Sequence, residues 1–511
     1  MNYNKIIHSN FYNKFLKNID NNKILFYRYN NNEKTYNDLK NYSAKLFKFL
    51  DQFKIKKKVI FTYSNKSFEM YSSIMPIFLQ NCIWVPLSIH YPTERLKLIF
   101  EQLKPDLFLY DNNNESFLSF LKKNKVKCVN FKSIYRVKLS KNYLDNIFKK
   151  KILKTNINST CMVYFTSGST NIPKGIKISQ KNLLIDVIDQ KYHLFKNKIK
   201  NPVFGDYYDT AFSIFFDIFF PAVLLGAAIS PGKTKFENSI PLEHIKENKV
   251  NVFIGVPSTI QLIKNYHKNK KTDLIFDVFI LTGEPFLMKL IPYIYKIFKI
   301  KKLFNCYGST ETSNWTFFHK CSPNDLIKFP DEPYTPIGKP FRNAKLKIKN
   351  KELVIKGPTV SQGYIEQVQN KGVFVLNNKN KDNVYYTSDL VKKSFSKYFC
   401  IGRKSNLVKI RGYRVDISEI EYVLKKNKQI DNVIIYEKNK SNYENYLVAI
   451  ILSKKKILDT VLVSYLTTKL PQYMIPKKFY FVKKLKLNSN GKVDRKKNIL
   501  IFDKKLLRLQ S

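Results

Sequence analysis

Cysteine is scarce in this 511-residue sequence: six residues, at 82, 128, 161, 306, 321 and 400, with no CxxC pair and no Cys/His cluster. That spacing gives no sign of a zinc site or a disulfide framework and leaves single thiols in a reducing compartment. A secretory leader is also missing, because MNYNKIIHSNFYNK has no apolar core of the signal-peptide kind. The most membrane-like run, FFDIFFPAVLLGAAIS, is broken by Asp217 and Pro221 and is too short to span a bilayer. The expectation is a cytoplasmic chain with no membrane span. Arginine is rare as well: nine residues against 81 lysines, although the net charge is +51. Arginine is the planar fork that reads base edges and grips phosphate bidentately. The lysines are spread along the chain among Asn and Ile, so no specific nucleic-acid partner is expected. The charge does suit an acidic macromolecular partner. No internal repeat stands out.

What is present is a long chain, 44% hydrophobic and 15% aromatic, enough for two or three domains with real cores. Short β-branched or aromatic runs recur: KVIFTYS, CIWVPLS, DLFLYD, CMVYFTSGS, NVFIGVPS and DVFILTGE. Each ends at Ser, Gly, Asp or Pro, and a helix-like stretch follows most of them. That alternation predicts an α/β fold with buried strands and ligand sites at their carboxyl ends. From about Pro336 the texture becomes β-rich, through KLKIKN, ELVIKG and VYYTSDL. GRKSNLVKIRGYRVDISEIEYVLKK then opens a small α+β unit, with Asp416 or Ser418 able to cap a helix at Glu419. The expected division is a large domain over 1–402 and a small one over 403–511.

The stretch TSGSTNIPKG follows the apolar run CMVYF. Gly168 permits close approach of an anion, Thr166, Ser167, Ser169 and Thr170 offer hydroxyls, and Lys174 adds a charge behind Pro173. The Walker pattern GxxxxGK[ST] is absent. Taken alone, a hydroxyl-rich turn is more often a solvated loop than a phosphate site.

The loop has company. NCYGSTET (Asn305 to Thr312), YYTSDL (Tyr385 to Leu390), GRKSNLVKIRGYRVDISEIE (Gly402 to Glu421), LPQYMIP and NSNGKVDRK follow in order, with TYNDL, WVPLSIHYPTERL, GVPS and LTGEPF between or before them. Together they resemble the adenylate-forming enzymes, the superfamily of acyl-CoA synthetases, luciferases and peptide-synthetase adenylation domains. The closing motifs are nearer to free-standing amino-acid adenylation enzymes such as D-alanine–carrier-protein ligases.

The resemblance implies a layered α/β amino-terminal domain with a β-rich subdomain, plus a small mobile α+β lid. It implies ATP and Mg²⁺ as cofactors. The loop from Thr166 through Ser167, Gly168, Ser169 and Thr170 to Lys174 would handle ATP phosphates. Gly283, Glu284, Asn305 and Gly308 would line the nucleotide site, and Tyr307 would stack on adenine. Thr310 would meet the α-phosphate and Glu311 would hold Mg²⁺. Asp389 would accept from the ribose hydroxyls with Arg403 nearby, and Lys492 would bridge carboxylate and α-phosphate. Phe212, Asp217, Ser313 and Trp315 would border the acid.

Departures from the family pattern are Asn171 and Ser388 in place of glycines and Ser405 in place of the hinge aspartate. Asn tolerates positive φ, whereas Ser388 would be strained if its position needs one. With Asp217 aligned to the family's acidic residue, the position that usually pairs with a substrate ammonium falls on Phe212, leaving Asp209 as a substitute.

The resulting expectation is an ATP-dependent ligase that activates an amino acid or related small acid, releases pyrophosphate and loads a phosphopantetheine thiol. No carrier domain follows the last motif, so an acidic carrier protein in trans is expected, or CoA. An acyl-CoA or fatty-acyl-AMP ligase stays open. So does a decayed, basic nucleotide- or RNA-binding protein.

Overall fold

A computed structural model describes residues 2–166, 173–267, 271–377, 382–404, 407–427, 429–439, 445–453, 455–486 and 493–507. The chain forms two units, one from residues 1–89, 99–165 and 174–405, the other from 90–98, 166–173 and 406–511.

The first unit is built on two large sheets. One holds nine strands, and at its centre Leu25–Tyr29, Ala228–Pro231, Val203–Asp206, Val252–Gly255, Val278–Thr282 and Leu303–Ser309 run mutually parallel. The other holds six, with Lys127–Asn130, Leu107–Tyr110, Val59–Tyr63, Ile83–Leu87 and Thr160–Thr166 parallel through its core. Every residue of Val252–Gly255 and Val278–Thr282 is buried, as expected of parallel strands covered on both faces.

Helices cover these strands for local reasons. In Tyr36–Gln52 the preceding Thr35 and Asp38 form a capping box that satisfies the first free N–H groups. Leu39, Tyr42, Leu46 and Leu50 then fall on one buried face. The most apolar run of the chain is the helix Phe215–Leu225, buried between sheet and neighbouring helix and stopped by Gly226 at φ +65°. No helix among the described residues is long and apolar enough to cross a membrane.

The β-rich texture after Pro336 becomes an antiparallel five-stranded sheet of Lys345–Lys349, Glu352–Lys356, Phe374–Val375, Val384–Ser394 and Lys397–Arg403. In the second unit, the hairpin Leu407–Ile410/Tyr413–Asp416 leads into the helix Ile417–Lys425. Asp416 caps that helix by accepting from the Ser418 N–H at 3.0 Å. Asn445–Leu452 lies between Asn432–Asn439 and Lys478–Val482. Ile420, Val433, Ile435, Ile451 and Leu462 form the core there. The fold is thus mixed α/β with several parallel sheets and a separate small carboxyl-terminal α+β part, as the sequence leads one to expect.

Candidate active site

The site begins at the carboxyl end of the parallel strand Leu303–Ser309, where the chain makes one 3₁₀ turn, Thr310–Thr312, and returns as Asn314–Cys321. Ser313 and Asn314 both take positive φ, at +58° and +99°, which makes this reversal unusually sharp. Gly308 is needed for it: a Cβ there would lie 1.6 Å from the Asn314 carbonyl oxygen. Tyr307, Gly308 and Ser309 are half-exposed while the strand before them is buried, so the tip forms a rim.

Three segments distant in sequence are tied to this tip. The Thr310 hydroxyl donates to Ser213 Oγ at 3.0 Å, bringing in the loop after Val203–Asp206. Glu311 is fully buried, and its Oε1 accepts from the Tyr364 hydroxyl at 2.9 Å. Lys174 Nζ lies 5.7 Å from the centre of the Tyr364 ring, so a cation, a phenol and a carboxylate are strung together. The stretch 361–365 is held in place by backbone bonds: Ser361 N–H to Glu311 O, Lys177 N–H to Gly363 O and Ile365 N–H to Gly175 O, all at 2.8–2.9 Å.

The third tie is Asp389. It accepts from the Tyr307 hydroxyl and from Arg403 Nε, and Arg403 Nη2 adds a second bond at 3.2 Å. Burial first, and the neighbouring Asp389 carboxylate next, push the Tyr307 phenol well above its ordinary pKa, so it stays protonated and donates. Ser388 does stand at positive φ, +59°, where the family has glycine, and its N–H is held by Glu352 Oε1 at 2.9 Å. That bond helps hold a conformation that costs a serine about 1 kcal/mol or more.

Other expected residues lie one layer further back. Asn305 Nδ2 donates to the Pro336 carbonyl at 2.9 Å. Glu284 accepts from the Ser258 N–H and hydroxyl, pinning the GVPS segment beside Gly283, which is at φ +84°. Ser313 Oγ donates to Thr359 O at 2.8 Å, and Trp315 Nε1 to Thr282 Oγ1 at 3.0 Å; both side chains are buried. Asp217 is fully buried and accepts from Gln190 Nε2 at 2.6 Å and from Asn314 Nδ2. Ser313, Trp315 and Asp217 are thus buried, behind the half-exposed Tyr307, Gly308 and Ser309.

Phe212 is half-buried, with its ring 5.8 Å from that of Tyr208. Asp209, also half-exposed, accepts from Ser88 Oγ and from the Ala211 N–H at 2.9 Å. Thr166 ends its strand half-buried. Ser167, Gly168, Ser169, Thr170 and Asn171 lie outside the described residues, as do Ser405 and Lys492.

Sequence reasoning missed Ser361 and Tyr364, whose place at the site depends on pairing with strands far away in sequence. It also missed the convergence of His319, Cys321 and Asp325, whose ligand-type atoms lie within 4.8 Å of one another. There the Asp325 carboxylate is engaged by His319 Nε2 at 2.8 Å and the Ser322 N–H at 3.0 Å. Burial, and Asp325 next, push the Cys321 thiol well above its ordinary pKa and keep it protonated.

The donors on the rim suit a nucleotide: a phenol ring, a carboxylate held by a guanidinium, hydroxyls, and a buried carboxylate with the oxygen chemistry that Mg²⁺ prefers. The comparisons agree. The family model for an AMP-binding enzyme matches residues 17–365, and that for the AMP-binding enzyme C-terminal domain matches 419–492. A D-alanine–D-alanyl carrier protein ligase of Staphylococcus aureus is 26% identical over 482 residues, 92% of this chain and 94% of the relative. A Vibrio cholerae adenylation domain solved with glycyl-adenosine-5'-phosphate superposes with a TM-score of 0.80 at 19% identity, covering 96% of this chain and 97% of the other. An o-succinylbenzoate CoA synthetase of Bacillus subtilis gives 0.78 at 18%, covering 95% and 98%. Both structural likenesses are likenesses of fold. With a matched model over most of its length and the matching motif tied into one rim, the chain belongs to the AMP-binding enzyme family.

Proposed function

We propose that the protein uses ATP to activate an amino acid, or a related small acid, as its adenylate and then passes it to the phosphopantetheine thiol of a separate carrier protein. The observation that carries this is the rim at 307–311, where Tyr307, Thr310 and Glu311 are each bonded to a different distant segment. A site wired in this way holds nucleotide-facing groups in fixed positions, the condition under which proximity and preorganised charge lower a barrier.

In the first step the acid's carboxylate oxygen attacks the α-phosphorus. An O–P bond forms, and the bond to pyrophosphate breaks with its electron pair leaving on pyrophosphate. In the second, the thiolate attacks the acyl carbon, the thioester forms, and AMP departs with the electrons of the C–O bond. Asp389, fixed by Arg403, accepts from the ribose hydroxyls, and Tyr307 presents its ring to adenine. Thr310 donates to the α-phosphate. The Lys174 ammonium, held near the Tyr364 ring, offers its charge to the phosphates. Glu311 is the residue that would hold Mg²⁺, and the ion would supply charge neutralisation there.

The S. aureus relative, named for D-alanine and a carrier protein, supports an amino acid and a carrier acceptor. Phe212, at the position expected to face a substrate ammonium, favours a second reading, an acid without an amino group loaded onto CoA or left as the adenylate. The deciding experiment is acid-dependent ATP–pyrophosphate exchange over amino, aryl and fatty acids. Exchange with an amino acid followed by loading of a carrier protein supports the first reading; exchange confined to acids without an amino group overturns it. Lys492→Ala is expected to abolish exchange while largely sparing thioester formation from supplied adenylate. Exchange at the wild-type rate removes Lys492 from the first step.

A further inference from the structure

A cavity of about 740 Å³ opens at the amino-terminal ends of the parallel strands Leu25–Tyr29, Val203–Asp206 and Ala228–Pro231. The rim described above is joined to the loop that leaves the opposite, carboxyl end of Val203–Asp206, through Ser213. The two sites are therefore separated by the length of the sheet strands, on the order of 13 Å for four residues.

Its lining is distinctive even in a lysine-rich protein. Lys23, Arg28, Lys191, Lys196, Lys198 and Lys249 face it, and no Asp or Glu does. Cations make up about a third of the lining against under a fifth of the chain. Arg28 is paired with Glu33 at 2.8 Å; the five lysines have no carboxylate among the lining residues. The helices Gln180–His193 and Phe215–Leu225 end here, and their carbonyl ends favour cations. That accounts for Lys191, in the last turn of Gln180–His193, and not for five lysines with no acid among the lining residues. Lys191 is crowded enough that burial and the adjacent Lys14 ammonium push it down to about 8.

Between the cations, Leu25, Phe195, Val203 and Leu225 supply an apolar floor. The volume falls within the range of small-ligand pockets, about 300–1,000 Å³.

We propose that this cavity binds a small polyphosphorylated molecule, held by the lysines through its phosphates and by the apolar floor through its carbon skeleton, at a site separate from the nucleotide rim. A single phosphate leaves most of the cationic charge uncompensated, so affinity rises with the number of phosphates.

The test uses the full-length protein, inorganic tripolyphosphate as probe, and calorimetry in about 0.15 M salt with AMP, a monophosphate, saturating the nucleotide site. Lys196→Glu/Lys198→Glu reverses two exposed lysines of the cavity, and Lys345→Glu/Lys347→Glu makes the same charge change on an exposed strand elsewhere in the first unit. The expected result is one saturable binding event in the wild type, weakened at least tenfold by the cavity pair and preserved by the control pair. Equal weakening by both pairs means diffuse attraction to a basic surface and overturns the proposal. So does the absence of any binding event once AMP is saturating, or equal affinity for inorganic monophosphate and tripolyphosphate.

Discussion

Replacing Gly308 by alanine tests whether the sharp reversal after Leu303–Ser309 is what assembles the rim. The added methyl would lie 1.6 Å from the Asn314 oxygen, 2.5 Å from its carbonyl carbon and 2.8 Å from Trp315 Cα. All three are backbone atoms of the paired strand, with Gly308 opposite Trp315 and Ser309 opposite Asn314, so no side chain can rotate out of the way. Opening the contact to 3.0 Å moves one strand by about 1.4 Å. Overpacking of this kind costs roughly 2–3 kcal/mol. A displacement near 1 Å at reacting groups lowers rate by on the order of a hundredfold. Thr310 and Glu311 are carried along, so acid-dependent ATP–pyrophosphate exchange is expected to fall about a hundredfold at a temperature where the variant is still folded. Gly372→Ala is the control: its φ is +74°, but nothing lies within 4 Å of the new methyl. It should cost about 1–2 kcal/mol of backbone strain and leave exchange unchanged. A Gly308→Ala protein that melts with the wild type and exchanges at its rate refutes the argument. One that melts early but exchanges normally when folded refutes the link from turn to catalysis.

Tyr364→Phe removes the hydroxyl that donates to buried Glu311, a bond to a charged group worth about 1.5–3 kcal/mol. Exchange is expected to need more Mg²⁺ for half-maximal rate; an unchanged Mg²⁺ titration takes Tyr364 out of the site. Asp186 and Asp217 are both fully buried around Gln190, which donates to Asp186 at 2.8 Å. Burial, and for Asp186 the Asp217 charge next, raise both carboxyls well above the ordinary Asp range. A carboxyl raised in the folded state favours folding fully below its unfolded pKa near 3.9, and that contribution is lost as pH rises through the folded value. Asp186→Asn should therefore flatten the decline of stability with rising pH, by at most about 1.4 kcal/mol per pH unit, in denaturant titrations from about pH 4 to about pH 9. A constant offset between the two proteins across that range contradicts this. Asp209→Asn should lower exchange with an amino acid at least tenfold, about 1.4 kcal/mol, and spare the corresponding acid lacking the amino group. Equal loss for both acids rules out Asp209 as the ammonium's partner.

The sequence made the rim's chemistry legible but not its wiring. Asn305, Tyr307, Gly308, Thr310 and Glu311 could be singled out because one short segment, NCYGSTET, carries them all and resembles a family motif. Ser388 was readable in the conditional: a left-handed position costs serine strain, and the observed φ of +59° meets that condition. The order of layers followed from strand-like runs alternating with capped helices such as Tyr36–Gln52. Tyr364 was not readable, because only the backbone bonds from Gly175, Lys177 and Glu311 to the 361–365 stretch bring its hydroxyl to Glu311.

Asp217 interrupts the apolar run FFDIFFPAVLLGAAIS, and the family resemblance implies a place for it beside the acid. In the fold it sits on a helix buried from Phe215 to Leu224, between Gln190 of one helix and Asn314 at the returning strand of the rim. An uncompensated carboxylate there would be costly, and the protein meets that cost with amide donors and a raised pKa. The same bonds fix Asn314 at φ +99°, and Asn314 supplies the carbonyl that leaves room only for glycine at 308. Asp217 thus acts on the site through the backbone. Its replacement by asparagine should disturb exchange by loosening the 308–314 reversal, with the same loss for every acid tested. A loss that depends on which acid is supplied would instead put its carboxylate in contact with substrate.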